Sequence, residues 1–344
     1  MADDVIRVAG RDDHCLSAHI GLSAAALRQE PRLTRAFVFP GQGSQQAGMG
    51  KALHAASPAA RAVFEEVDDA LGQSLSRLMF DGDLATLTLT ENAQPAIMAV
   101  SIATRRVLQE GGVRLADRAA FVAGHSLGEY SALCAAGVLT LADTARLLRA
   151  RGRAMQAAVP VGVGAMAVLI GLDLDTVQAV ADAAAEDGQV CAVANDNAPG
   201  QVVVSGHEQA VARAITLAKA KGSRHSVLLP VSAPFHCPLM APAAEAMATA
   251  LADTPLSAPF VPLVANVTAA PVIDAATIRR LLVEQVTGRV RWRESVLAMV
   301  DAGVDRFVEL GAKVLSPMVK RITPDAGAEA AMDMATIEAV ARGM

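Results

Sequence analysis

Ala119-Ala120-Phe121-Val122-Ala123-Gly124-His125-Ser126-Leu127-Gly128 decides how the rest of the chain is read. The five residues before Gly124 make an apolar run suited to a short buried strand, and residues 127–134 read as the start of a helix. Between them stands a G-x-S-x-G pentapeptide, which in a strand–turn–helix setting becomes a nucleophile elbow. Its two glycines let the backbone fold sharply. The Ser126 hydroxyl is then presented at the carboxyl end of a sheet, with a helix N-terminus beneath it. This reading implies chemistry through an activated serine.

Outward from the elbow the pattern alternates. A strand over 35–39 is followed by a Gly-rich turn and helical stretches to about 112, and a helix over 141–158 follows the elbow. Alternating strands and helices imply a parallel sheet covered on both faces. Beyond Val159-Pro160-Val161-Gly162 the order changes. Strand 165–170, helix 174–185, strands 190–194 and 201–205, helix 207–221 and strand 225–229 give βαββαβ, the order of a ferredoxin-like unit. Residues 161–231 are therefore expected to form a small inserted subdomain. The main fold, residues 35–160 and 232–344, resumes with helix 240–252, strand 261–267, helices 276–286 and 294–302, strand 306–310 and an Ala-rich tail. Residues 1–34 are polar and irregular and are expected to be a flexible, dispensable extension.

Composition narrows the function classes. The chain has 344 residues, 53% hydrophobic, yet only eight Phe, one Trp and one Tyr, so its core rests on aliphatic side chains. Stacking platforms for single-stranded nucleic acid are not expected, and a net charge of −5 argues against a nucleic-acid or membrane-surface binder. Every apolar run is broken by a charge, Pro or Gly before the roughly 18–20 residues that span a bilayer. The Met-Ala-Asp-Asp start lacks a signal-peptide pattern. Four cysteines, Cys15, Cys134, Cys191 and Cys237, show no CxxC pair and no metal-like spacing, as expected of reduced thiols in a cytoplasmic protein.

A serine needs a base within hydrogen-bond reach. Of seven histidines, His14 and His19 lie in the leader, and His54 and His225 stand in polar surroundings. His207 sits near a helix start, and His125, adjacent to the nucleophile, points away from it and is assigned to packing or elbow geometry. His236 remains, in Val231-Ser232-Ala233-Pro234-Phe235-His236-Cys237, where the inserted unit rejoins the main fold and a cleft is expected. An oxyanion needs two donors. One is the backbone N–H of Leu127, and Gly41-Gln42-Gly43-Ser44-Gln45 is a suitable loop for the other. That loop lacks the lysine and spacing of a phosphate cradle.

Five segments in order resemble the malonyl-CoA:acyl-carrier-protein transacylases, relatives of polyketide synthase acyltransferase domains. They are Phe39-Pro40-Gly41-Gln42-Gly43-Ser44-Gln45, Gly124-His125-Ser126-Leu127-Gly128-Glu129-Tyr130, Arg151-Gly152 with Met155-Gln156, Asn195-Asp196-Asn197-Ala198-Pro199-Gly200-Gln201, and Pro234-Phe235-His236-Cys237. The resemblance runs from about Arg35 to the C-terminus and departs from the family's late glycine-proline-glycine-lysine segment at Gly311-Ala312-Lys313. It implies an α/β-hydrolase-like large subdomain carrying the ferredoxin-like one. It also implies Ser126 as nucleophile, His236 as base, and the backbone N–H groups of Gln42 and Leu127 as oxyanion hole. The backbone carbonyl of Gln285 would orient the histidine in place of an acid, which would explain why no Asp or Glu near the cleft stands out as a third triad member.

Arg151 would grip the substrate's free carboxylate, a match of planar guanidinium to carboxylate that the chemistry of charge-assisted pairs favours. Without the motif it reads as a solvated arginine among Arg146, Arg149 and Arg153. His125, Met155, Asn195 and Phe235 are candidate cleft-lining residues, Phe235 fitting a malonyl-sized pocket. The implied reaction moves malonyl from malonyl-CoA to the phosphopantetheine thiol of acyl carrier protein by a ping-pong path, with no metal or bound cofactor. Acyl carrier protein and CoA are the expected partners of a monomer, with Arg289, Arg291, Lys313, Lys320 and Arg321 as candidates for a basic rim. A serine thioesterase, a malonyl transferase serving a malonate-degrading complex and a non-catalytic scaffold are the competing readings.

Overall fold

Arg35–Phe39 forms β1, at the heart of a six-stranded sheet in the computed structural model, which describes residues 34–231 and 233–344. The expected extension over residues 1–33, with His14, Cys15 and His19, and Ser232 lie outside the described residues. Beside β1 run β2 (Phe121–Gly124) and β9 (Arg306–Leu310), then β7 (Leu263–Ala265), β8 (Ala270–Val272) and β10 (Gly327–Ala331), in the order β10-β9-β1-β2-β7-β8. All pairings are parallel except β7 with β8. Phe37 and Phe39 point into one core and Ala36 and Val38 into another, so β1 reads as an unbroken apolar run because both faces are covered.

One face carries α1 (Lys51–Ala56), α2 (Pro58–Leu71), α3 (Leu75–Asp81), α4 (Leu84–Thr88), the long α5 (Thr90–Glu110) and the short α6 (Leu115–Arg118). It also carries α7 (Gly128–Ala135) and α8 (Leu141–Ala157). Pro95 lies inside α5 and has no N–H for the Glu91 carbonyl, four residues back. The freed carbonyl accepts instead from Arg149 Nε on α8 at 2.8 Å, which ties the two helices together near the site.

The small sheet consists of β3 (Gly164–Ile170), β4 (Cys191–Ala198), β5 (Gln201–His207) and β6 (His225–Leu228), all antiparallel in the order β4-β5-β3-β6. With α9 (Leu174–Ala184) and α10 (Glu208–Ala220) it encloses its own apolar core. β4 runs four residues past the expected end at 194, through Asn195-Asp196-Asn197. Two register shifts there re-aim these polar side chains into the protein. A bridge between Asn195 and Val290 joins β4 to the segment before α13 (Trp292–Asp301).

The return to the large sheet uses a 3₁₀ turn over Pro238–Met240, then α11 (Ala241–Ala252) and α12 (Ala275–Thr287). The expected Ala-rich tail is instead α14 (Leu315–Ile322), the edge strand β10 and α15 (Met334–Arg342). Gly327–Ala331 has no β-branched residue, so its strand character comes from pairing with β9 rather than from propensity. No helix among the described residues is long and apolar enough to cross a membrane.

Candidate active site

β2 ends at Gly124, and α7 begins four residues later at Gly128. A Cβ on Gly124 would lie 1.9 Å from the Gly128 carbonyl carbon, and one on Gly128 would lie 2.2 Å from the Phe39 oxygen. Only glycine allows so tight a turn. Between them Ser126 adopts φ 54°, a conformation that costs a residue with a side chain about 1–3 kcal/mol unless its surroundings hold it. Asn266 does the holding. Its Oδ1 accepts from Ser126 N at 2.8 Å, and its Nδ2 donates to Gly124 O at 2.7 Å.

His236, also at positive φ (57°), sets Nε2 2.7 Å from Ser126 Oγ. Its Nδ1 lies 2.9 Å from the Gln285 carbonyl and 3.1 Å from that of Gly288, at the C-terminal end of α12 where helix carbonyls lack internal partners. Donating Nδ1–H there leaves Nε2 as an acceptor for the serine proton. Burial, and next the Arg151 guanidinium, press the imidazole down to about 3 against the pull of those two carbonyls. The ring is neutral at physiological pH.

Arg151 is not solvated. Leu141, Thr144, Leu148, Arg151 and Met155 follow one another at three- and four-residue steps along the buried stripe of α8, while Arg146 and Arg153 face water. Its guanidinium donates to Gln94 Oε1 and Gln285 Oε1, both at 3.0 Å, and to Ser126 Oγ at 3.1 Å. It also lies 5.7 Å from the centre of the Tyr130 ring. No carboxylate pairs with it among the described residues, and burial lowers its proton affinity.

A carboxylate does lie near the cleft, but not as a third member of the Ser126–His236 pair. Glu129 is fully buried on α7, and its Oε2 accepts from Asn266 N at 3.0 Å and Gln285 Nε2 at 2.9 Å. Its Oε1 has no partner among the described residues, and burial lifts the carboxyl to about 7. Every described bond of the Glu129 side chain goes to Asn266 or Gln285, none to His236. A sequence signal existed: Glu129 is the one charged residue of α7, among apolar and small uncharged side chains. Asn266, Gln94 and the Gln285 side chain carried no comparable signal.

Ser126, His236, Arg151 and Gln94 open onto a cavity of about 490 Å³, also lined by Gln42, His125, Met155, Asn195, Phe235 and Met318. Neither the Gln42 nor the Leu127 backbone N–H meets an acceptor among the described residues. The His125 ring bonds Asn197 Oδ1 at 2.8 Å and packs 6.0 Å from Trp292. His207 stands at the N-terminal boundary of α10, where its ring accepts from Val190 N at 2.8 Å, and His225 is exposed on β6. His54, expected in polar surroundings, instead packs 5.1 Å from Phe80. Of the five candidate rim cations, Arg289 and Arg291 pair with Glu294, Lys320 donates to Ala326 O, and Arg321 bonds Gln201 and Pro199. Lys313 is exposed. Cys134, Cys191 and Cys237 are free thiols.

Residues 36–341 match the family model described as an acyl transferase domain. A malonyl CoA-acyl carrier protein transacylase of Bacillus subtilis is 44% identical over 304 residues, 88% of this chain and 95% of that protein. The chain belongs to this family of acyl transferases. The acyl-carrier-protein-S-malonyltransferase structure from Bartonella henselae superposes with TM-score 0.88 at 54% identity, covering 90% of this chain and 98% of that one. A malonyl-transacylase solved in complex with a type II PKS acyl-carrier protein superposes at TM-score 0.87 with 41% identity, covering 90% and 99%. In an acyl transferase, an alcohol bonded to a neutral imidazole, beside unpaired N–H groups and an uncompensated guanidinium, can form an ester and hold an acyl group bearing negative charge.

Proposed function

We propose that the protein transfers the malonyl group of malonyl-CoA to the phosphopantetheine thiol of an acyl carrier protein through a malonyl ester on Ser126. The observation that carries this reading is the Arg151 guanidinium, buried 3.1 Å from Ser126 Oγ with no counter-ion among the described residues. A three-carbon diacid esterified at that oxygen brings its free carboxylate to the guanidinium, where two parallel charge-assisted bonds are available. An acetyl group leaves the buried charge unmatched. The transacylase relatives, and the neighbour solved with a carrier protein, favour the same donor and acceptor.

His236 Nε2 takes the Ser126 proton as Oγ bonds to the thioester carbon, and the resulting oxyanion faces the Gln42 and Leu127 N–H groups. The carbon–sulfur bond then breaks, and the proton on His236 leaves with the CoA thiol. The carrier thiol repeats these steps in reverse. The Gln285 carbonyl holds His236 in the required tautomer, and His125, Met155, Asn195 and Phe235 line the cleft. Nothing in this scheme calls for a metal or a bound cofactor. Every role falls on one chain, which suits a monomer, and we place the reaction in the cytoplasm.

We further read residues 35–160 and 232–344 as an α/β-hydrolase-like subdomain and residues 161–231 as a ferredoxin-like insertion. The β4-β5-β3-β6 order and two intervening helices support the insertion. The transfer itself is tested by intact mass after mixing with malonyl-CoA. One malonyl adduct is expected, absent from Ser126→Ala and discharged by holo acyl carrier protein. No adduct, or steady release of free malonate without a carrier thiol, would overturn the reading.

A further inference from the structure

The side-chain amide of Gln285 is held at both ends and fits in one orientation only. Its Nε2 faces three acceptors: Ser126 O at 3.0 Å, Glu129 Oε2 at 2.9 Å and Asn266 Oδ1 at 3.2 Å. Its Oε1 faces the Arg151 guanidinium at 3.0 Å. An amide nitrogen only donates and its oxygen only accepts. Turned over, Gln285 would set its oxygen against three oxygens and its NH₂ against a guanidinium N–H. Asn266 cannot turn either, because it accepts from Ser126 N, donates to Gly124 O, and gives its backbone N–H to Glu129 Oε2.

We propose, resting on the roles given above to Ser126 and Arg151, that Glu129 is a positioning residue for acyl selectivity. One of its carboxyl oxygens fixes the Gln285 amide so that Gln285 presents Arg151 to the free carboxylate of the acyl group. Glu129 meets neither substrate nor His236 and acts entirely through Gln285 and Asn266. Its second oxygen is unused, so the role requires an acceptor oxygen at one position and not a charge.

The test is single-turnover loading of Ser126 from malonyl-CoA and from acetyl-CoA, read by intact mass. Glu129→Met should lower the malonyl-to-acetyl ratio at least about tenfold, the usual cost of leaving a buried hydrogen-bonding group without its partner. Glu129→Gln, whose amide oxygen can take both bonds, should recover most of the wild-type ratio. A merely destabilised protein loses both acyl groups in proportion and leaves the ratio alone. A folded Glu129→Met with the wild-type ratio, or a Glu129→Gln as poor as Glu129→Met, overturns the proposal. If Glu129→Met fails to fold, Gln285→Met carries the same expectation, and an unchanged ratio there overturns it too. Failure of the wild-type chain to take a malonyl group would instead overturn the function proposed above.

Discussion

Two strand-to-helix turns leave the same edge of the large sheet, one on each side of β1, and each is built around a buried glutamate. At the turn into α14, Glu309 uses both oxygens. Oε1 accepts from Val314 N at 2.8 Å and Leu315 N at 3.0 Å, and Oε2 accepts from Ser316 N at 2.7 Å and Ser316 Oγ at 2.8 Å. Four donors at a helix N-terminus counter part of the cost of burying this carboxylate, although burial still raises its proton affinity. At the turn into α7, Glu129 uses one oxygen, and the cation closest to it in the network, Arg151, has no direct anionic partner among the described residues. A saturated buried charge closes a turn. An unsaturated one, beside an uncompensated cation, leaves free energy that a ligand can collect.

The largest effect separating the two turns is expected from Arg151→Ala. Malonyl loading of Ser126 should fall about a hundredfold relative to acetyl loading, the scale of a lost charge-assisted bidentate pair. Rapid-quench loading with both thioesters measures it. Equal losses for the two would make Arg151 part of the general scaffold, and the contrast between the turns would lose its functional half.

The two turns also differ in how plainly the sequence announces them. The elbow is local: Gly124, Ser126 and Gly128 stand within five residues, and the constraint on each glycine is contact with the backbone of the same turn or the neighbouring strand. The burial of Arg151 is legible in the spacing of Leu141, Thr144, Leu148 and Met155 around it. Gln94, Asn266 and the Gln285 side chain meet only because α5, the end of β7 and α12 converge, and no periodicity in one segment encodes that. The turn after β9 was harder still. Gly311 takes φ 97° against Ser101, a residue more than two hundred positions away, and α14 has a proline in its first turn. The strand β10 that packs beside them has three alanines in five residues.

The same substitution should act unequally at the two turns. Glu309→Gln must set an NH₂ group against backbone N–H donors on one side, so it should cost about 2 kcal/mol of unfolding free energy. Glu129→Gln places its NH₂ where no donor stands and should cost less than about 1 kcal/mol. Urea unfolding of both variants decides the matter. Similar losses would mean that the unpaired Glu129 oxygen is as well satisfied as those of Glu309, and the contrast would fail.

The smallest effect lies in the response to pH. Folding lifts the Glu129 carboxyl from 4.5 to about 7, so through that window the folded chain holds a proton that the unfolded chain has lost, and stability falls as pH rises. His236 goes the other way. Folding lowers it from 6.5 to about 3, so the unfolded chain takes up a proton that the folded chain refuses, and stability falls as pH drops through that range. Between about pH 4.5 and 6.5 the two contributions oppose one another, and their joint slope is close to zero. Glu129→Gln removes one of them. Relative to wild type, its unfolding free energy should climb with pH across this interval, by on the order of 1 kcal/mol per pH unit. Every other titrating group is common to both chains, so the difference between their urea midpoints at each pH isolates Glu129. Parallel profiles would mean that Glu129 ionises in the folded protein as it does in water, and that the half-used carboxylate at this turn is no less comfortable than the saturated one at the other.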